Sequence, residues 1–217
     1  MVSDRISRKA FFFSLGAVFA VESAGFYLLP VLKLPPLPAI GCVRILETVL
    51  LLFILDSQGG LFSSLGFRRR NFLRDIGRGL LWSGGFGLLV LAVFLLIHLF
   101  GGYPPGLAAL RRPPDPFSFL LLLSVGAFLS PVAEEIFFRG ILFGFFRTWG
   151  FVPALVLSTA LFAFIHPAGQ GFPVIQVIGG GLFAVAYEKE GTVVVPIVIH
   201  CLGNGALFLL SCIPRLF

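Results

Sequence analysis

Charge is what this 217-residue sequence has least of. Asp, Glu, Lys and Arg together make up 12% of it, against about 25% in a soluble domain. So few charges cannot cover a globular surface, which excludes a water-soluble enzyme or binding module. Cysteine is also scarce. Cys42, Cys201 and Cys212 all lie in apolar runs and form neither a C-x-x-C pair nor a zinc-ligand spacing, so they read as packing residues. The H-E-x-x-H pattern of zinc proteases is missing as well. No internal repeat, low-complexity tail or nucleic-acid-binding pattern is present. The net charge of +6 therefore does not point to a nucleic-acid partner.

What fills the chain is apolar. Hydrophobic residues make up 58% of it, with 27 Phe, and the mean hydropathy is +1.02. Lipid is the solvent that such a composition needs. The sequence predicts an all-α, polytopic transmembrane helix bundle occupying 1–217 as a single integral membrane domain. Apolar runs punctuated by Pro, Gly and charge suggest about eight helices, near 10–30, 37–55, 77–99, 116–130, 131–149, 152–166, 172–188 and 193–212, with seven as the alternative. Several later runs are shorter than the roughly 20 residues that span the hydrocarbon core. The basic N-terminus (Arg5, Arg8, Lys9) resembles a signal peptide, but the apolar run continues to about Leu32 without a small-x-small cleavage site, so it reads as a retained first span.

Ser130-Pro131 reads as a helix start, because Ser caps N-termini and Pro suits the first helical position. On that reading Glu134 and Glu135 occupy the first turns of a helix whose antiparallel partner closes at His166. Arg68, Arg69 and Arg70 dominate the basic residues between spans. With eight spans, the positive-inside rule places both termini and the Glu134/His166 end in the cytoplasm. The short, loop-poor chain suits a prokaryotic plasma membrane.

Ionisable residues inside a bilayer are costly and mark function by default. Glu135 and Arg139 stand four apart in the favourable order for an ion pair, which fits a structural clamp. Arg44 and Glu47 stand three apart and neutralise each other, which fits packing. Glu134 is left without a local cation, and a low-dielectric site disfavours its charged form, as suits a general base or acid. His166 ends a helix beside it. His200 and Asn204, at i and i+4, share one helix face. They read either as an interhelical hydrogen bond or as a donor pair for an oxyanion. A carboxylate, two imidazoles and an amide can together activate water and stabilise a tetrahedral intermediate, as peptide hydrolysis requires. A zinc ion held by Glu and two His is the alternative that these residues leave open.

Glu134-Glu135…Arg139, Phe162…His166 and His200…Asn204 reproduce the patterns E-E-x-x-x-R, F-x-x-x-H and H-x-x-x-N in order. In this the sequence resembles the CPBP (Abi) family of membrane proteases, which includes type II CAAX prenyl endopeptidases and bacteriocin-processing or self-immunity proteins. The resemblance covers about 116–212 and implies a catalytic core there, in an eight-helix intramembrane fold. It implies an endopeptidase acting near the C-terminus of a membrane-associated or peptide-precursor substrate. Glu134 would be the general base acting on water, assisted by His166. His200 and Asn204 would form the oxyanion site, and Glu135, Arg139 and Phe162 would support the geometry. The expected partners are membrane lipid and a protein or peptide substrate, and no cofactor is required by the glutamate-type mechanism. A non-catalytic immunity or scaffold protein of the same fold, or a transporter, are the rival readings.

Overall fold

A computed structural model describes residues 6–101, 113–166, 173–210 and 212, except for the side chains of residues 61 and 62. The described residues hold seven long helices: α1 (Arg8–Leu32), α2 (Pro36–Ser57), α3 (Phe72–Leu99), α4 (Pro116–Trp149), α5 (Phe151–Ile165), α6 (Val174–Glu190) and α7 (Val194–Leu210). Four of them, α1, α2, α3 and α4, are long and apolar enough to cross a membrane. Helices α5 and α7 are shorter apolar helices. The protein is an all-α integral membrane bundle, as its composition requires.

Local sequence explains several helix ends. The Ser7 hydroxyl accepts from the Ala10 amide, capping α1, and the Asp115 carboxylate accepts from the Ser118 amide, capping α4. Each satisfies a donor that the first turn leaves unpaired. Lys33 ends α1 in the left-handed region, and Gly191 ends α6 the same way.

Among the described residues the count is the lower of the two expected, seven, because the expected break at Ser130-Pro131 is not a break. Helix α4 runs through both residues for 34 residues. Pro131 has no N–H to donate, and the helix accommodates it with a π-helical stretch over Val125–Leu129, in which the Ser130 amide donates to the Val125 carbonyl. The next bond of that register, from residue 131 to the Gly126 carbonyl, cannot form. Asn204 on α7 supplies the missing donor: its Nδ2 lies 2.9 Å from the Gly126 oxygen. A proline inside a membrane helix is tolerated when a neighbour satisfies the freed carbonyl in this way. A second π-helical stretch follows at Ile136–Phe143, so Glu134 and Glu135 lie between two local widenings of the helix.

Merging two expected spans also reverses the expected topology. Ile6 packs on Gly144, Leu65 on Gly140, and Gly66 on Gly191. Arg78 pairs with Glu190, Arg147 with Glu188 at 2.8 Å, and the Tyr187 hydroxyl donates to the Ser64 carbonyl at 2.9 Å. The start of α1, the end of α2, the start of α3, the end of α4 and the α6–α7 turn therefore share one end of the bundle. The start of α1 and the end of α7 lie at opposite ends of the bundle. Arg147 and Lys189 lie at the Arg68–Arg70 end as well.

Candidate active site

Glu134 does not open a helix. It stands mid-way along α4, and His166 meets it because α5 stops after 15 residues. At about 1.5 Å per residue α5 is roughly 22 Å long, short of a hydrocarbon core of about 30 Å. Its last residue therefore ends inside the bundle, level with Glu134. The expected proximity of the two residues is correct, and the reason lies in the shortness of α5.

Nor is Glu134 without partners. Its Oε2 lies 3.6 Å from His166 Nε2 and 3.8 Å from His200 Nε2. These separations are too long for direct hydrogen bonds. The other ring nitrogens are anchored. His166 Nδ1 lies 2.8 Å from the Phe162 carbonyl, and His200 Nδ1 lies 2.8 Å from Glu135 Oε1. Both anchors are acceptors, so each Nδ1 carries the proton and each Nε2 is turned towards Glu134. The Glu134 side chain is 12% exposed and that of His166 31%, so the cluster is not sealed within the bundle.

Behind it lies a fully buried support. Arg139 and Glu135 are 0% exposed, and Arg139 Nη1 donates to Glu135 Oε1 at 3.1 Å. Arg139 Nη2 donates to the Gly180 carbonyl of α6 at 3.0 Å. The guanidinium lies 4.7 Å from the Phe162 ring centre and 5.2 Å from that of Phe183, within cation–π range. Phe183 in turn stacks on His200 with 4.7 Å between ring centres. Glu135 thus faces a cation on one side and an imidazole on the other, and the clamp expected from the i, i+4 spacing also orients His200.

Asn204 shares a face with His200 as expected, and one of its N–H groups is spent on Gly126. Sequence reading passed over Gly180 and Phe183. A Cβ at Gly180 would stand 3.2 Å from both Phe162 and Thr159, so the glycine lets α6 approach closely enough for its carbonyl to reach Arg139. The run Gly179-Gly180-Gly181 is the signal of such an approach. Arg44 was assigned to packing against Glu47, and that pair forms. It has a third member, however: Arg44 Nη2 lies 2.7 Å from Glu22 Oε1 on α1. The charge of Arg44 also acts on both Glu134 and His166.

Zinc takes its nitrogen and oxygen ligands at about 2.0–2.2 Å. Among the described residues, no three His, Cys, Asp or Glu groups stand together in an arrangement that could hold a metal ion. No step below is routed through one.

Fold and site together define an integral membrane protein with a buried carboxylate–imidazole centre. Residues 116–206 match the family described as type II CAAX prenyl endopeptidase Rce1-like. That segment carries Glu134, Glu135, Arg139, Phe162, His166, His200 and Asn204, and over it the expected kinship with the CPBP proteases holds. The matched family is one of membrane proteases, which supports reading the chain as an enzyme. No curated protein and no solved structure matches the chain.

Proposed function

We propose that the protein is an intramembrane endopeptidase that cleaves near the C-terminus of a membrane-associated or precursor peptide, using Glu134 as the base for water. The observation that carries this reading is the convergence of the two Nε2 atoms on Glu134 Oε2 at 3.6 and 3.8 Å. The Glu134 carboxylate and a neutral His166 Nε2 are both acceptors, and a water molecule is the donor that fits between them. Glu134 takes a proton as the water oxygen attacks the peptide carbonyl, and His166 holds the water in line. The proton then passes to the leaving amine, so that neither charge nor mass is left over. Glu135 accepts from His200 Nδ1 and holds the ring with Nε2 turned to the oxyanion, as a carboxylate behind a catalytic histidine orients it elsewhere; doubly protonated throughout, the ring donates Nε2–H there. The second N–H of Asn204 is the other donor of this pair. The catalytic core is placed at 116–212, which contains all of these residues.

Orientation follows from charge. The exposed Arg8, Lys9, Arg68, Arg69, Arg70 and Arg74 share one end with Arg78, Arg147 and Lys189. By the positive-inside rule that end is cytoplasmic. Helix α5 ends towards the opposite face, where the substrate would be met. A prokaryotic plasma membrane is the setting that suits this arrangement.

The test replaces Glu134 or His166 by Ala and follows the release of C-terminal fragments from a membrane substrate by mass spectrometry. Loss of release in both variants, with insertion and folding intact, is the expected result. Wild-type release in both would end the proposal.

A further inference from the structure

Arg44, Glu22 and Glu47 form a group of charges within the bundle that the proposed chemistry does not use. Arg44 is gripped unevenly. Glu47, whose side chain is 2% exposed, holds Nη1 from the interior. Glu22, whose side chain is 47% exposed, holds Nη2 with a single oxygen from the lipid-facing side. The Nε–H, which shares an edge of the guanidinium with Nη2, is buried and has no partner. That edge is a planar fork matched to a carboxylate binding through both oxygens, and Glu22 fills only half of it. A buried, unpartnered donor on a charged group is costly, so the fork is built for a fuller occupant.

Its position fits a peptide substrate. Helices α2 and α4 run in the same direction, and Gly41 packs on Val125. That register sets Arg44 level with residue 128, six residues from Glu134 and about 9 Å nearer the end at which α5 stops, at 1.5 Å per residue. Three extended residues span about 10 Å.

We infer that Arg44 is a specificity residue that binds the terminal carboxylate of the substrate through Nε and Nη2, displacing Glu22, which occupies the place in its absence. The inference rests on the peptidase reading. Glu47 stays in place as the fixed counter-charge.

The test measures binding and needs no hydrolysis, so it fails or succeeds separately from the cleavage assay. Trileucine and trileucine amide are titrated into the purified protein by calorimetry. The acid should bind at least about tenfold more tightly than the amide, as a charge-assisted pair of hydrogen bonds requires. Glu22→Gln should tighten binding of the acid and leave the amide unchanged. Arg44→Gln leaves Glu47 buried without its cation, so Arg44→Gln/Glu47→Gln is the variant of choice, and in it acid and amide should bind equally. Equal affinity in the wild type, no binding of either peptide, or a preference for the acid that survives in the double variant would each overturn the inference.

Discussion

Replacing Glu135 by Gln keeps the shape of the side chain and removes one charge from a pair that has no access to water. Arg139 would keep its bond to Gly180 and its aromatic neighbours, but those contacts already exist in the wild type and offer nothing new. Breaking a buried pair by removing one partner costs about 3–5 kcal/mol, which outweighs the roughly 0.5–2 kcal/mol of a cation–π contact. Arg139→Met should cost a similar amount, since it leaves Glu135 with His200 alone. The double variant Glu135→Gln/Arg139→Met is different. It buries no charge, its amide oxygen can still accept from His200 Nδ1, and methionine packs adaptably against aromatic rings. The two single costs should therefore not add, and the coupling should reach about 2–3 kcal/mol, the upper part of the range for contacting residues. Equilibrium unfolding of the four proteins in mixed micelles measures it. Additive costs, with coupling below about 0.5 kcal/mol, would refute the claim that Glu135 and Arg139 form one unit.

Three further outcomes follow from particular contacts. Gly66 has φ of 63°, and a Cβ there would stand 1.8 Å from the Gly191 carbonyl oxygen. Gly66→Ala should therefore prevent the tight contact with the α6–α7 turn and lower thermal stability far more than Gly16→Ala, where the Cβ would meet nothing. In intact cells, a cysteine placed at Lys33 should react with a membrane-impermeant maleimide, and one placed at Arg69 should react only after permeabilisation. The reverse pattern would invert the proposed orientation. Activity should survive exhaustive removal of divalent metal by a chelator, and its loss, restored by zinc, would replace the glutamate mechanism with a metal one.

Composition alone made the membrane bundle legible, because so few charges leave no other solvent for the chain. The site residues were legible for a related reason: a charge retained in an apolar helix has to meet a partner. Glu135 and Arg139 announced theirs through i, i+4 spacing, and His166 through its place at a helix end. The Ser130-Pro131 step misled because cap chemistry is local. The residue that keeps α4 continuous is Asn204, more than seventy positions later, and no local rule points from Gly126 to its amide. One misplaced helix end then carried through to the topology, since a change from eight spans to seven moves the end of α7 to the other face. Glu22 was invisible as a partner of Arg44 for the same reason. Arg44 already had an acid three residues away, and the close packing of α1 on α2 that brings a second one leaves no periodic trace.

The central claim is that Glu134 is the base for a hydrolytic water. Its most direct test is the turnover number of Glu134→Gln against wild type on a quenched-fluorescent peptide ending in a prenylated CAAX sequence, in lipid bicelles. Gln keeps the size and polarity and loses the proton acceptor, so the rate should fall by about 10²–10⁴, the usual contribution of a general base, with the protein still folded. A variant that turns over at the wild-type rate would contradict the account.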